Sequence, residues 1–159
     1  MEYFVGGSMV PEPKDAILVE SMRLASQEHG IPYEVLRSVA YHESRYRPDA
    51  RNAKTGASGI FQLLPSTAAG LGVDPFNVAQ AASASAGLLR RWYIKYRRSW
   101  AHAFAAYVWG PRRVDNAGGY GSTNWPSKVR RYVQKVLEGA GMPVPFSPSQ
   151  IVVNGRPMA

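Results

Sequence analysis

The sequence contains no cysteine. That excludes a disulfide framework, a thiolate nucleophile, an iron–sulfur cluster and any Cys-based zinc site. It leaves the compartment open, because secreted proteins without cysteine are common. Acids are scarce beyond residue 50: Asp74, Asp115 and Glu138 face fourteen lysines and arginines there, whereas residues 1–50 carry eight acids and five bases. The net charge of +8 is thus divided into −3 and +11. The later part is built to meet an anion, whether nucleic acid, lipid headgroups or a wall polymer bearing carboxylates or phosphates. A long apolar run is missing as well. The least polar stretch, Ala101 to Trp109, falls far short of the roughly 20 apolar residues that span a bilayer, so no transmembrane segment is expected. The opening Met-Glu-Tyr-Phe-Val-Gly-Gly lacks the basic segment and apolar stretch of a secretory signal. Period-two alternation is rare, with Ile151-Val152-Val153 the one compact β-branched run. What is present, 159 residues with 45% hydrophobic and 19% charged, is the composition of one globular domain with its own core.

The hydrophobic pattern is helical. Asp15 is placed to cap a helix running to Glu28, with Ile17, Leu18, Met22 and Ala25 on one face and Gly30 as its stop. Pro32 suits the first turn of a second helix, in which Val35, Leu36, Val39 and Ala40 recur at helical spacing up to Glu43. Residues 45–59 read as an irregular loop containing Gly56 and Gly59. A short helix is expected over Ser66 to Ala69, and the longest over about Asn77 to Arg98, with Ala82, Ala86, Leu89, Tyr93 and Tyr96 on one side. Trp100 to Trp109 forms the next, ended by Gly110-Pro111; a glycine-rich loop covers Asn116 to Pro126. The last helix spans Ser127 to Glu138, with Val129, Tyr132, Val133 and Val136 inward. Pro143, Pro145, Pro148 and Pro157 then predict an extended tail. The expected organisation is an N-terminal extension over 1–14, a mostly α domain over 15–139 and a proline-rich tail over 140–159.

Glu43 carries the most chemistry. On a helix it shares a stripe with Leu36, Val39 and Ala40, so an acid ends an apolar face. Desolvation and the negative end of the helix dipole both disfavour the carboxylate, and its pKa is expected to rise. A carboxyl kept protonated near neutral pH can donate to a leaving oxygen, the demand of glycosidic cleavage. On local pattern alone an ordinary surface glutamate at a frayed helix end satisfies the same spacing.

The surrounding blocks favour chemistry. AYHES at 40–44, GASGIFQLLPSTA at 56–68, AAYVWGP at 105–111 and RRYVQKVL at 130–137 together resemble the soluble lytic transglycosylase (SLT) family, over roughly residues 16 to 138. The resemblance implies a single-domain, lysozyme-like fold of the goose type with an active-site groove. It implies Glu43 as the sole catalytic carboxyl, supported by Ser44. Gly56 and Gly59 can let backbone approach a sugar, and Ser58 can offer a hydroxyl. Gln62 has the donor and acceptor that suit an N-acetyl amide and matches the family's substrate-contacting glutamine; Phe61 stands where the family often has methionine. Tyr107 and Tyr132 read as core residues by periodicity and as active-site tyrosines by resemblance. One departure is Val108, which replaces the asparagine of the family's Ala-Tyr-Asn-Ala-Gly-Pro. Trp109 beside it is either a stacking surface for a pyranose or core. Related Trp-Gly variants occur in virion-associated members, a pointer to phage or prophage origin.

In that family the acid protonates the oxygen between N-acetylmuramic acid and N-acetylglucosamine. As carboxylate it then takes the proton of the muramyl C6 hydroxyl attacking C1, giving a 1,6-anhydromuramyl end without water. Asp49, Asp74 and Asp115 are poor second carboxyls and read as cap or turn residues. Peptidoglycan glycan strands are the implied partner, met in the periplasm or cell wall, with delivery by a virion or secretion machine where no signal is present. Nucleic acid and cofactors are not expected. His42-Glu43 begins like a zinc-protease helix, but position 46 is Tyr46, so no metal is expected. Two alternatives stay open. One is a water-using goose-type lysozyme. The other is a non-catalytic basic module gripping wall polymer or nucleic acid through Arg90, Arg91, Lys95, Arg97 and Arg98 with interleaved Trp92, Tyr93 and Tyr96; on a helix these are most simply a solvated face over a core.

Overall fold

The computed structural model describes residues 9–146 and the strand residues 152–153 and 156–157. Helices dominate: α1 (Ala16–His29), α2 (Tyr33–Ser44), α3 (Pro65–Leu71), α4 (Val78–Lys95), α5 (Trp100–Trp109), α6 (Pro111–Asn116) and α7 (Ser127–Gly139). The chain divides into two compact units, residues 10–88 and residues from Leu89 onward together with Met9. Among the described residues no helix is long and apolar enough to cross a membrane.

The first unit follows the sequence signals closely. Asp15 caps α1 by accepting from the amides of Ile17 and Leu18, and Gly30 ends it in the left-handed conformation at φ 65°. The buried stripe is Leu18, Met22 and Ala25, joined by Ser21 and Ser26. Ile17 does not belong to it: it is 71% exposed, on the same outward side as exposed Leu24, seven residues on. Helical periodicity admits both 17 and 18 at the edge of a stripe, and only packing chooses. α2 packs on α1 and buries Val35, Leu36, Val39 and Ala40 completely; each full burial of a Val or Leu is worth roughly 1.5–3 kcal/mol. Pro32 serves as the N-cap of α2 rather than lying in its first turn.

The second unit is built on α5, which packs against α6 and α7 and buries Ala101 through Ala106. Two boundaries differ from expectation. α4 stops at Lys95 because Arg97 and Arg98 turn into left-handed backbone, φ 55° and 63°. Pro111 does not merely end α5; it occupies the first turn of α6, where its missing N–H costs nothing. On α7, Val129, Val133 and Val136 are buried while Tyr132 is half-buried. Packed structure continues past the helix, since Val144 and Phe146 are buried and Phe146 meets the Trp125 ring edge-on at 6.4 Å. Val152–Val153 pairs antiparallel with Arg156–Pro157. Residues 1–8 of the N-terminal extension, Pro148 and Ile151 lie outside the described residues.

Candidate active site

Glu43 is the penultimate residue of α2 and is half-buried. It continues the stripe of Leu36, Val39 and Ala40, none of which is measurably exposed. The helix then ends abruptly. Arg45 and Tyr46 both adopt left-handed backbone, at φ 55° and 65°, an unfavourable conformation for residues carrying a Cβ. Packing holds them there: Arg45 donates to the Tyr41 hydroxyl and its guanidinium lies 4.3 Å from that ring, while Tyr46 donates to the Pro11 carbonyl. Burial pushes the Tyr46 phenol up to about 12.

Ser44 links this helix end to the glycine loop. It is buried, and its hydroxyl lies 2.7 Å from the Ile60 carbonyl and 3.3 Å from that of Ala40. The loop itself folds back twice, with bridges pairing Arg51 with Ser58 and Ser58 with Leu63. Ser58 is buried, and its hydroxyl donates to the Gly56 carbonyl at 2.8 Å. Its proton is therefore spent inside the turn. Gln62 sits at φ 53° and its amide nitrogen donates to the carbonyls of Gly59 and Ala50, at 2.9 and 3.2 Å. That leaves its oxygen as an acceptor. Phe61 is fully buried. Gly59 is a true glycine position: φ is 78°, and a Cβ there would lie 2.0 Å from the Pro75 carbonyl oxygen.

The residues preceding α1 also brace α2. Glu12 accepts from the Tyr33 hydroxyl at 2.6 Å and from Arg37 at 2.8 Å. The Tyr33 hydrogen bond, with help from Arg37, holds the Glu12 carboxyl below its ordinary value. No local motif could have revealed this network, because its partners are 21 and 25 residues apart.

Four predicted site residues, Glu43, Ser44, Ser58 and Gln62, thus lie on one helix end and the loop tied to it. Tyr107 and Tyr132 belong to the second unit. Tyr107, half-buried in the last turn of α5, meets the Trp92 ring edge-on at 6.2 Å. Tyr132 is half-buried on α7, Val108 is 41% exposed and Trp109 is half-buried. The basic stretch around α4 is a solvated face, with Arg90, Arg91, Lys95, Arg97 and Arg98 exposed and Tyr96 buried. The remaining acids are otherwise occupied or exposed. Asp74 accepts from the Phe76 amide in a turn, and Asp49 is exposed. Asp115 is no cap or turn residue; it pairs with Lys95 at 2.7 Å and accepts from the Tyr96 hydroxyl at 2.8 Å. Its folded partners are twenty and nineteen residues away, which the local pattern hid. Among the described residues no three His, Asp or Glu side chains are grouped to hold a metal ion.

Comparison with known proteins bears on the family and the fold. The family model for the transglycosylase SLT domain matches residues 20–128, a span that covers both sides of the boundary between the two units. The chain is 31% identical over 133 residues to the peptidoglycan transglycosylase gp16 of Escherichia phage T7, covering 76% of this chain and 10% of that protein. It is 32% identical over 101 residues to membrane-bound lytic murein transglycosylase F of Alcanivorax borkumensis, covering 58% of this chain and 21% of that protein. The chain therefore spans a tenth to a fifth of the length of these relatives. In three dimensions it is similar to the 70 kDa soluble lytic transglycosylase SLT70 of Escherichia coli. The TM-score is 0.67 with 22% identity over 76% of this chain and 23% of that one. A 70-kDa soluble lytic transglycosylase in complex with bulgecin A matches with a TM-score of 0.68 and 20% identity, over 87% of this chain and 26% of that one. At these identities the likeness establishes the fold: mostly α and lysozyme-like.

Proposed function

Because the chain belongs to the transglycosylase SLT family, we propose that it is a peptidoglycan lytic transglycosylase and that Glu43 is its acid and base. The observation that carries the assignment is an acid ending a fully buried apolar stripe at a helix terminus that Ser44 and two left-handed residues lock in place. Glu43 protonates the glycosidic oxygen between N-acetylmuramic acid and N-acetylglucosamine. The resulting carboxylate then accepts the proton of the muramyl C6 hydroxyl as that oxygen attacks C1. The bond to the leaving sugar breaks, a C1–O6 bond closes the 1,6-anhydro ring, and no water is consumed. An attacking group on the same sugar benefits from the high effective concentration of intramolecular reaction.

A one-carboxyl mechanism also fits the fate of the other acids. Retaining and inverting hydrolases place two carboxyls across the scissile bond. Here Asp115 is committed to Lys95 and Tyr96, and Asp74 to its own turn. Gln62 offers its carbonyl oxygen to an N–H of an N-acetyl group, and the Ser58 oxygen is left to accept. Tyr107 and Tyr132 are assigned to the sugar-binding surface by their family positions; Val108 removes the amide that the family usually supplies beside Tyr107. The enzyme works in the periplasm or cell wall, and its kinship with a phage transglycosylase favours delivery with a virion.

Mass spectrometry of muropeptides released from purified sacculi tests the proposal. The expected result is anhydromuramyl ends from the parent chain and none from Glu43→Gln, which keeps the side chain's shape but not its proton. Reducing ends instead would assign hydrolysis, and full activity in Glu43→Gln would remove Glu43 from the mechanism.

A further inference from the structure

The second unit contains a cavity of about 670 Å³ that the reaction above does not use. Sites for small ligands commonly enclose roughly 300–1,000 Å³. Its lining brings Arg97 and Arg98 together with Trp100, Tyr120, Leu137 and Met142, and no acidic residue lines it. Among the described residues neither guanidinium has a carboxylate partner; the acid nearest along the chain, Asp115, is taken by Lys95. Arg97 instead lies over the exposed Tyr120 ring, 5.0 Å from its centroid.

The backbone here is costly to keep. Arg97 and Arg98 are consecutive and both left-handed, a conformation suited to glycine and tolerated with a Cβ only where the surroundings enforce it. The turn is fixed by the Arg97 amide on the Ile94 carbonyl at 3.2 Å and the Arg98 amide on that of Tyr93 at 2.7 Å. The first turn of α5 supplies Trp100, Ala101 and His102 to the same lining. His102 is held on both ring nitrogens, by Ser99 Oγ at 2.7 Å and the Ser122 carbonyl at 3.0 Å, so it shapes the wall. Along α5 this end lies seven residues, about 10 Å, from Tyr107.

We propose that this cavity binds an acidic peptide, with its carboxylate on Arg97 and Arg98 and its apolar atoms against Trp100, Leu137 and Met142. Paired guanidiniums match a carboxylate through parallel charged hydrogen bonds. A bare phosphate would satisfy them too, but it would leave the apolar lining facing water, which favours the peptide. Peptidoglycan carries peptides of this class, and the identification of the peptide's source rests on the function proposed above.

Titration calorimetry on the full chain tests the inference with N-acetyl-Ala-D-Glu-Lys-Ala, its fully amidated counterpart and inorganic phosphate. The free-carboxylate peptide is expected to bind at least tenfold more tightly than the amidated one. The double variant R97G/R98G, whose glycines suit the left-handed turn, is expected to lose at least tenfold in affinity while melting no lower than the parent. Equal binding of the two peptides, undiminished binding by the variant, a lowered melting temperature in it, or phosphate binding as tightly as the peptide would each overturn the proposal. Glu43 does not line the cavity, so Glu43→Gln is expected to bind the peptide as the parent does. Its cleavage assay therefore fails or succeeds independently of this one.

Discussion

Replacing Ser44 with alanine removes the hydroxyl that lies 2.7 Å from the Ile60 carbonyl. Both residues are 3% exposed, so water cannot take over the bond, and a buried acceptor left short of a partner costs about 1–3 kcal/mol. At the middle of that range, with a shift of roughly 2–4 °C per kcal/mol for a chain of this size, the melting temperature falls by about 4–8 °C. A domain stable by about 5–15 kcal/mol stays more than ~99% folded at 25 °C after such a loss. Any larger fall in turnover therefore reports the geometry of the helix end, one residue from the proposed acid, and not unfolding. We expect kcat on purified sacculi to fall at least tenfold with a smaller change in KM, together with the predicted thermal shift. A melting temperature within 1 °C of the parent's would show that the bond contributes no net stability. Turnover within twofold of the parent's, despite the thermal shift, would show that Ser44 holds the fold without positioning Glu43.

Gly59→Ala is expected to lower the melting temperature far more than Gly72→Ala, both read by thermal unfolding. Each requires left-handed backbone, but a Cβ at Gly59 meets the Pro75 oxygen at 2.0 Å whereas nothing lies within 4 Å at Gly72. The Glu12 carboxyl is held low chiefly by its hydrogen bond from Tyr33. Its stabilising contribution is therefore complete above the ordinary carboxylate range and is lost as pH falls through the lowered value. Glu12→Gln is expected to flatten the acid limb of a stability–pH curve followed by circular dichroism. Tyr46 has the opposite sign: with its phenol raised to about 12, stability is complete below the ordinary tyrosine value and declines as pH climbs towards 12. Tyr46→Phe, which also loses the bond to Pro11, should remove that alkaline decline. Binding of the parent chain to sacculi should weaken steadily between low and physiological salt if the +11 region draws it to the wall, because ions screen exposed charge within about 10 Å at 0.1 M; a salt-independent pelleting assay would contradict that role.

Where physical cause is local, the sequence was readable. Asp15 and Gly30 bound α1, and the 35, 36, 39, 40 spacing marks the buried side of α2 and puts Glu43 at its end. Where the cause is tertiary, the same reasoning failed. Ile17 and Leu18 are equally apolar neighbours, and only the direction of the packed face exposes one and buries the other. Pro111 is both a helix stop and a helix start, so α6 was invisible behind α5. Asp115 resembled a turn residue because its partners, Lys95 and Tyr96, stand at the end of α4, far away in sequence. The loop over 45–59 looked irregular because its order comes from the Ala50 and Gly59 carbonyls, which accept from the Gln62 side chain and, at Ala50, from the Gly59 amide, and a carbonyl is the same at every residue.

That hidden order has a consequence for the proposed chemistry. An acid that protonates a bridging oxygen and then accepts a proton from the attacking hydroxyl must serve two atoms of one sugar from nearly the same place, which tolerates displacement of only about 0.5 Å. A carboxyl on a frayed helix end would fail this requirement. Here the last turn of α2 is fixed on several sides. The Ser44 hydroxyl ties it to Ile60, and the left-handed Arg45 and Tyr46 stop the helix immediately after it. Tyr46 anchors to Pro11, beside the Glu12 network that grips Tyr33 and Arg37 on the same helix. The loop that carries Gln62 is itself clamped on Ala50 and Gly59. Three left-handed non-glycine residues, 45, 46 and 62, thus lie at this helix end or in the loop tied to it, as expected where rigidity is needed and a smoother chain would permit movement.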